Sequence, residues 1–337
     1  MADIPEKDCW IGFDLGGTKM LAVVYDAEFN PLGKKRKRSR GHEGQDAGLE
    51  RIRSTIHQAL AEANVAVDRV CGIGVGCPGP LDLEKGVIHD APNLGWTNVP
   101  LRKILEDEFH APAIIANDVD CGVFGEYRFG AAKSARCVVG VFPGTGIGGG
   151  AVYEGHIIRG KNTTCMEIGH INVIPNGPIC GCGLRGCLEA VASRLAISAA
   201  AAQAAFRGQA PHLHSLVGTD LSKIRSGDIA ASIDGGDEVV LRIVREAARH
   251  IGMAVAGVVH LLAPDMILLG GGLVEAMPKL FVDQVRDSAR KNVMPSYQKV
   301  FDVVAAKLGN DATVMGAASW ARECIEEESP VTVTADA

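Results

Sequence analysis

The chain has 337 residues, 47% of them apolar and 22% charged, and a net charge of −6 at neutral pH, values of an ordinary globular protein long enough for about two domains. The acidic balance gives no electrostatic reason to expect nucleic acid or an anionic membrane surface as a partner. Ten cysteines are too few for a disulfide scaffold, and the opening MADIPEKD and the lack of any run of eighteen apolar residues lead us to expect a cytoplasmic protein with reduced thiols.

From Cys9, WIGFDLGGTKMLAVVYD reads as strand, Gly-Gly-Thr turn and strand, a hairpin whose turn carries Asp14, Gly16, Gly17, Thr18 and Lys19. Such hairpins are common. A shift of 128 residues, however, lays CVVGVFPGTGIGGGAVYEG over it, with Gly12 on Gly140, Gly16 on Gly144 and Tyr25 on Tyr153. Two copies predict a duplicated domain with the turns facing, so that consecutive backbone N–H groups grip a polyphosphate from both sides. Gly144, Gly146 and Gly149 also satisfy G-x-G-x-x-G, as do Gly74, Gly76 and Gly79. A dinucleotide fingerprint must open a helix, whereas β formers follow Gly150 and prolines flank Gly79. GHIIRGKN at 155–162 has Asn162 where a P-loop needs Ser or Thr.

The basic run from Lys34 to Arg40 is either a nucleic-acid address or, the reading we prefer, an edge strand guarded by charge against pairing with another chain. Leu49, Ile52, Ile56 and Leu60 recur at helical spacing between Ala47 and Asn64. VCGIGVGCPGPLD is a strand closing in the rigid Pro78-Gly79-Pro80 loop, where ligands gather beyond strand carboxyl ends. Asn93 and Trp96 line a polar pocket or finish a loop. APAIIANDVDCGVFGEYRFG begins as a buried strand and ends as a helix, with Asn117 and Asp118 at the junction. A carboxylate there serves as an N-cap or, given its place shortly before the second glycine turn, as a general base.

EIGHINVIPNGPICGCGLRGCLE, from Glu167 to Glu189, gathers His170, Cys180, Cys182 and Cys187, a donor set suited to tetrahedral zinc. Four protein ligands leave no open position, so the ion is expected to be structural. It would clamp Glu167 and Glu189 so that both carboxylates face one cavity, which suits a ligand rich in hydroxyls. The alternative is three reduced core cysteines and a satisfied histidine. Leu188 to Arg207 is expected to be one alanine-rich helix, 208–236 has no assigned structure, and Asp237 to Leu262 is a long buried helix. DMILLGGGL is a buried strand ending in Gly270, Gly271 and Gly272, a turn open enough for a flat ring to approach the backbone. A strand around 300–305, a helix over 312–326 and a loose tail complete the chain.

With DLGGTK at 14–19, Asn117-Asp118, GTGIGGG at 144–150, EIGH at 167–170, CGCGLRGCLE at 180–189 and GGG at 270–272, the chain resembles the ROK family of repressors and sugar kinases from about Ile11 to Cys324. The resemblance implies an α/β fold, the duplicated actin-like (ribonuclease H-like) ATPase fold, with two lobes and an interlobe cleft. The small lobe would hold 1–117 and about 311–327, the large lobe 118–310 with the zinc site, and 328–337 would be tail. It implies ATP-dependent phosphorylation of a hexose 6-hydroxyl, glucose first and fructose, mannose, allose or an N-acetylhexosamine as alternatives. Asp118 would be the base. Gly79, Asn93, Asn117, Glu167, His170 and Glu189 would border the sugar, with His170 giving one ring nitrogen to zinc and the other to sugar. Asp14, near Mg2+, and Gly16, Gly17, Thr18, Lys19, Gly144, Thr145, Gly146 and Gly148 would hold the phosphates, and Gly271 and Gly272 would border the adenosine. A homodimer is what the family implies. The competing functions are a repressor, disfavoured by the acidic charge and the eight residues before Cys9, and a non-catalytic sugar sensor, disfavoured by Asp118.

Overall fold

The computed structural model describes residues 7–91, 94–161 and 164–328. From the amino end come β1 (Cys9–Leu15), β2 (Lys19–Tyr25), β3 (Pro31–Arg38) and α1 (Gln45–Ala63). β4 (Val70–Cys77), β5 (Leu81–Asp82), β6 (Val87–Ala91), β7 (Trp96–Val99), α2 (Leu101–Phe109), β8 (Ala113–Asn117) and α3 (Asp118–Phe129) follow. Next are β9 (Cys137–Pro143), β10 (Ile147–Tyr153), β11 (His156–Ile157), α4 (Leu188–Ala192), α5 (Arg194–Phe206), α6 (Pro211–Val217), α7 (Ser226–Asp234) and α8 (Glu238–Leu262). β12 (Met266–Leu269), α9 (Gly272–Ala276), α10 (Pro278–Asn292), β13 (Asp302–Ala305) and α11 (Ala312–Glu328) complete the described chain.

These elements form two compact units, one of Met1–Gly130, Arg159–Thr164 and Asn310–Ala337, the other of Ala131–Ile158 and Cys165–Gly309. Each is built on a five-stranded sheet, in the order β3-β2-β1-β4-β8 in the first and β11-β10-β9-β12-β13 in the second. In both, the first three strands are antiparallel and the last two join in parallel. The shift of 128 residues carries the bounds of β1 and β2 onto those of β9 and β10. The basic run occupies β3, at a sheet edge.

In the first unit the strand alternation separates two packed faces. Ile11, Phe13, Leu15, Met20, Ala22 and Val24 pack with Ile52, Ile56 and Leu60 of α1, while Trp10, Leu21, Val23 and Tyr25 turn toward Val314 and Ala318 of α11. Helix α11 reaches the sheet because Gly12 and Gly74 carry no side chain: a Cβ on them would lie 2.0 Å from the Val314 carbonyl oxygen and 1.9 Å from that of Ala317. Trp96 is 1% exposed, so it belongs to the core and not to a polar pocket. Asn93 lies outside the described residues.

In the second unit α8 lays Val240, Val244, Ala247, Ile251, Val255 and Val259 against Val139, Val141, Ile267 and Leu269 of the sheet, the apolar stripe its periodicity requires. The alanine-rich segment is two helices and not one. Ser193 interrupts it and caps α5, its Oγ accepting from the Ala196 N–H at 3.2 Å, a local bond that competes with helix continuation. Residues 208–236 hold α6 and α7, anchored by buried Asp237, whose carboxylate accepts from the backbone N–H groups of His212 and Leu213 and from the Ser232 hydroxyl. Helix α11 runs to Glu328, and 329–337 lie outside the described residues. No described helix is long and apolar enough to cross a membrane.

Candidate active site

In the first unit the chemistry-bearing residues stand at the carboxyl ends of parallel strands, where α/β sheets bind ligands. Asp14 is the penultimate residue of β1, on the strand and not in the turn, level with Gly76 of β4; Cys77 is level with Asn117 of β8. The turn that follows holds Gly16, Gly17, Thr18 and Lys19, closed by the Gly16 N–H donating to the Lys19 carbonyl at 3.1 Å. Gly17, Thr18 and Lys19 are exposed. The Lys19 ammonium donates to Asn310 Oδ1 at 3.0 Å. Gly79 lies just past β4 at φ 99°, where glycine is the residue without steric cost.

The N-cap of α3 is Asn117, not Asp118. Asn117 Oδ1 accepts from the N–H groups of Val119 at 2.9 Å and Asp120 at 3.3 Å, which leaves Asp118 as the first helical residue. Asp118 Oδ1 accepts from the Val119 N–H at 2.9 Å, and its side chain is half-buried. The carboxyl of Asp14 is pushed up to about 7, chiefly by burial and then by the Asp118 charge, with Lys19 and Arg36 pulling it down less strongly. Two carboxyl groups close enough to feel one another beside an exposed glycine turn form a site that attracts a cation and can take up a proton.

In the second unit the turn after β9 is organised by three side chains. Its Gly144 N–H donates to the Gly146 carbonyl at 2.8 Å, and the Gly144 carbonyl accepts from the Arg194 N–H at 2.9 Å. The Arg194 guanidinium donates to Thr145 Oγ1 at 2.8 Å. Glu189 Oε2 accepts from the Ile147 N–H at 2.9 Å and sits where a Cβ on Gly146 would be, 2.2 Å away. Gly148, on β10, pairs with Phe142. Gly271, at φ 81°, would bring a Cβ within 2.9 Å of the Pro143 carbonyl oxygen, which places the third glycine turn beside the second. Arg194 escaped the sequence reading: it belongs to no motif, and only the break at Ser193 brings its guanidinium to Thr145.

The EIGH segment packs on β10, since a Cβ on Gly149 would meet the Met166 carbonyl oxygen at 2.4 Å and one on Gly169 the Ile147 carbonyl oxygen at 2.1 Å. Glu167 is exposed and its carbonyl accepts from the His170 N–H at 3.0 Å. The ligand atoms of His170, Cys180, Cys182 and Cys187 all lie within 4.8 Å of one another. A tetrahedral zinc with Zn–S bonds of about 2.3 Å sets two sulfurs about 3.8 Å apart, and a sulfur and an imidazole nitrogen about 3.6 Å apart. Cys182 Sγ and Cys187 Sγ are 3.8 Å apart, and Cys180 Sγ and His170 Nδ1 are 3.7 Å apart. The donor set fits zinc in identity and in spacing, with Nδ1 as the histidine ligand.

The expected site residues thus gather in two groups. Asp14, Gly16, Gly17, Thr18, Lys19, Gly79, Asn117 and Asp118 belong to the first unit, while Gly144, Thr145, Gly146, Gly148, Glu167, His170, Glu189, the cysteines, Gly271 and Gly272 belong to the second.

The glucokinase of Thermotoga maritima is 33% identical over 316 residues, which cover 94% of this chain and 98% of that protein. The crystal structure of a ROK family glucokinase from Streptomyces griseus in complex with glucose and AMPPNP superposes with a TM-score of 0.81 and 31% identity, over 94% of this chain and 99% of that one. The DNA-binding transcriptional repressor Mlc of Escherichia coli is 30% identical over 80% of this chain and 65% of its own length. The duplicated sheets are those of the two-lobe actin-like ATPase fold. The ROK family model matches residues 10–324, and the chain belongs to the ROK family.

Proposed function

We propose that this protein is an ATP-dependent hexose kinase that phosphorylates the 6-hydroxyl of glucose, with Asp118 as general base. The observation that carries the reading is the placement of Asp14 at the end of β1 and Asp118 just past the end of β8, the two strands that flank β4, close enough for the Asp118 charge to add to the effect of burial on the Asp14 carboxyl. Whole-chain similarity to glucokinases supports it.

Phosphoryl transfer asks the protein mainly for in-line positioning and for stabilisation of charge on the transferring group. In this reading Asp118 accepts the proton of the sugar hydroxyl as the oxygen attacks the γ-phosphorus. Asn117, Glu167, Glu189 and His170 Nε2 hold the other hydroxyls, with Gly79 and Asn93 bordering the sugar. The turns at 16–19 and 144–148 hold the phosphates, helped by Arg194, and Gly271 and Gly272 border the adenosine. Asp14 would hold Mg2+, which neutralises phosphate charge when bound. Zinc on His170 Nδ1, Cys180, Cys182 and Cys187 would brace the sugar-binding wall. A cytoplasmic homodimer belongs to the same reading, and light scattering on purified protein tests the dimer.

The deciding experiment is a panel of hexoses assayed with ATP and Mg2+ by coupled ADP release. Glucose is expected to give the highest kcat/KM. Hexose-dependent ADP release absent throughout the panel, with sugar binding intact, would establish a sensor instead. A better substrate among fructose, mannose, allose and the N-acetylhexosamines would reassign the sugar.

A further inference from the structure

The open edge of the first unit's sheet carries a cavity lined by none of the residues assigned above. Among the described strands, β8 has a partner, β4, on one side only, and Ile114 and Ile115 of β8 line a cavity of about 500 Å³. Pockets for small ligands typically measure roughly 300–1,000 Å³, so the cavity is large enough for one. Leu83 and Ile115 are buried in the core of the unit, and Ile114, on the opposite face of the strand, is half-buried.

The rest of the lining is charged. Arg102 on α2, with Arg159 and Lys161 just past β11, faces the cavity together with one carboxylate, Glu84. None of the three cations forms an ion pair with a described carboxylate. The guanidinium of Arg102 is fixed by bonds to the backbone carbonyls of Glu84 at 2.9 Å and Leu83 at 3.4 Å, and its Nε is buried without a partner. Arg159 lies over the Trp320 ring, 5.4 Å from its centroid. Three cations against one carboxylate leave two positive charges around the cavity, in a chain whose net charge is −6. A phosphate monoester is a dianion that these cations match, and the cavity has room for its organic body.

The cavity also touches chain that leads to the proposed base. Arg159–Thr164 packs with the first unit although the chain on either side of it belongs to the second. Ile115 precedes Asn117, the last residue of β8, and Asp118, the first of α3.

We propose that this cavity is a second ligand site, for a small phosphate monoester, and that its occupancy alters the affinity for sugar through β8. The binding half stands independently of the kinase reading, and the coupling half rests on it.

The probe is phenyl phosphate, titrated calorimetrically into protein saturated with glucose and AMPPNP so that the phosphate turns are filled. One equivalent is expected to bind, inorganic phosphate to bind more weakly, and phenol not at all. Lys161→Glu, an exposed position with an expected unchanged melting temperature, should weaken the probe by at least about tenfold, the loss of one charge-assisted contact. Arg159→Ala should weaken it in the same direction. The probe should also slow alkylation of Cys324, which lines the cavity, as followed by peptide mass. Equal affinity in wild type and Lys161→Glu, or Cys324 alkylated at the same rate with and without probe, would overturn the site. In nucleotide-free protein, saturating phenyl phosphate is expected to shift the glucose Kd by at least about fivefold, the lower end of ordinary coupling. A glucose Kd that does not move would overturn the coupling, whereas normal probe binding in a protein that binds no hexose would count against the kinase reading and leave the cavity assigned.

Discussion

Glu189 Oε2 accepts the Ile147 N–H at 2.9 Å, so the carboxylate that follows the last cysteine of the metal cluster is fastened to the turn after β9. Replacing it by alanine orphans that N–H, at a cost of about 1–3 kcal/mol. Glu189→Ala should therefore melt earlier and show raised KM for glucose and for ATP together, while Glu189→Gln, which keeps an acceptor oxygen, should retain the fold. Steady-state kinetics with each substrate varied would expose a change confined to glucose, the result expected if Glu189 touched only sugar.

Asp118→Asn should bind glucose within a few-fold of wild type and lose roughly 10²–10⁴-fold in kcat, the worth of general-base catalysis. The cap of α3 is made by Asn117, so the substitution leaves the helix start intact and the melting temperature nearly unchanged. Turnover close to wild type, measured by coupled ADP release, would remove Asp118 from the role of base.

The carboxyl of Asp14 is raised from its ordinary 3.8 to about 7. A carboxyl raised in the folded state favours folding while it is protonated. This contribution is complete below the unfolded pKa of about 4 and is lost as pH rises through about 7. In metal-free buffer the melting temperature of wild type relative to Asp14→Asn should fall across that window. Because the Asp118 charge is the second cause of the rise, Asp118→Asn should move the midpoint of that fall to lower pH. A difference between wild type and Asp14→Asn that is flat from pH 4 to 8 would contradict the shift.

One zinc per chain is expected in protein purified without chelator, measured by plasma emission. Metal binding to a thiolate site is itself folding free energy. Cys182→Ser, at the exposed member of the cluster, should lower zinc content and thermal stability and raise the glucose KM more than the ATP KM. Wild-type glucose affinity after complete zinc removal would separate the metal from the sugar wall.

Gly12→Ala would set a Cβ 2.0 Å from the Val314 carbonyl oxygen. A backbone oxygen cannot swing aside, so α11 must move off the sheet, and overpacking of this kind costs about 1–3 kcal/mol. Urea denaturation of Gly12→Ala and Gly74→Ala should show both destabilised, while Gly257→Ala, with nothing within 4 Å of its added Cβ, should lie near wild type.

Much of the architecture was written in local pattern. Strand alternation, helical spacing and an internal repeat depend on neighbours a few residues apart or on one fixed offset, and the duplicated hairpin and the density of His170, Cys180, Cys182 and Cys187 were readable for that reason. Which partner a side chain finds across the fold is set by packing between segments far apart in sequence. Asn117 capping α3 in place of Asp118, Arg194 reaching Thr145, Trp96 filling a core, Asp14 raised by burial and then by the distant Asp118 carboxylate, and the segment Arg159–Thr164 joining the first unit were therefore decided only by tertiary structure. Chain order carries the periodicity of one element, and distances between elements exist only once the chain has closed on itself.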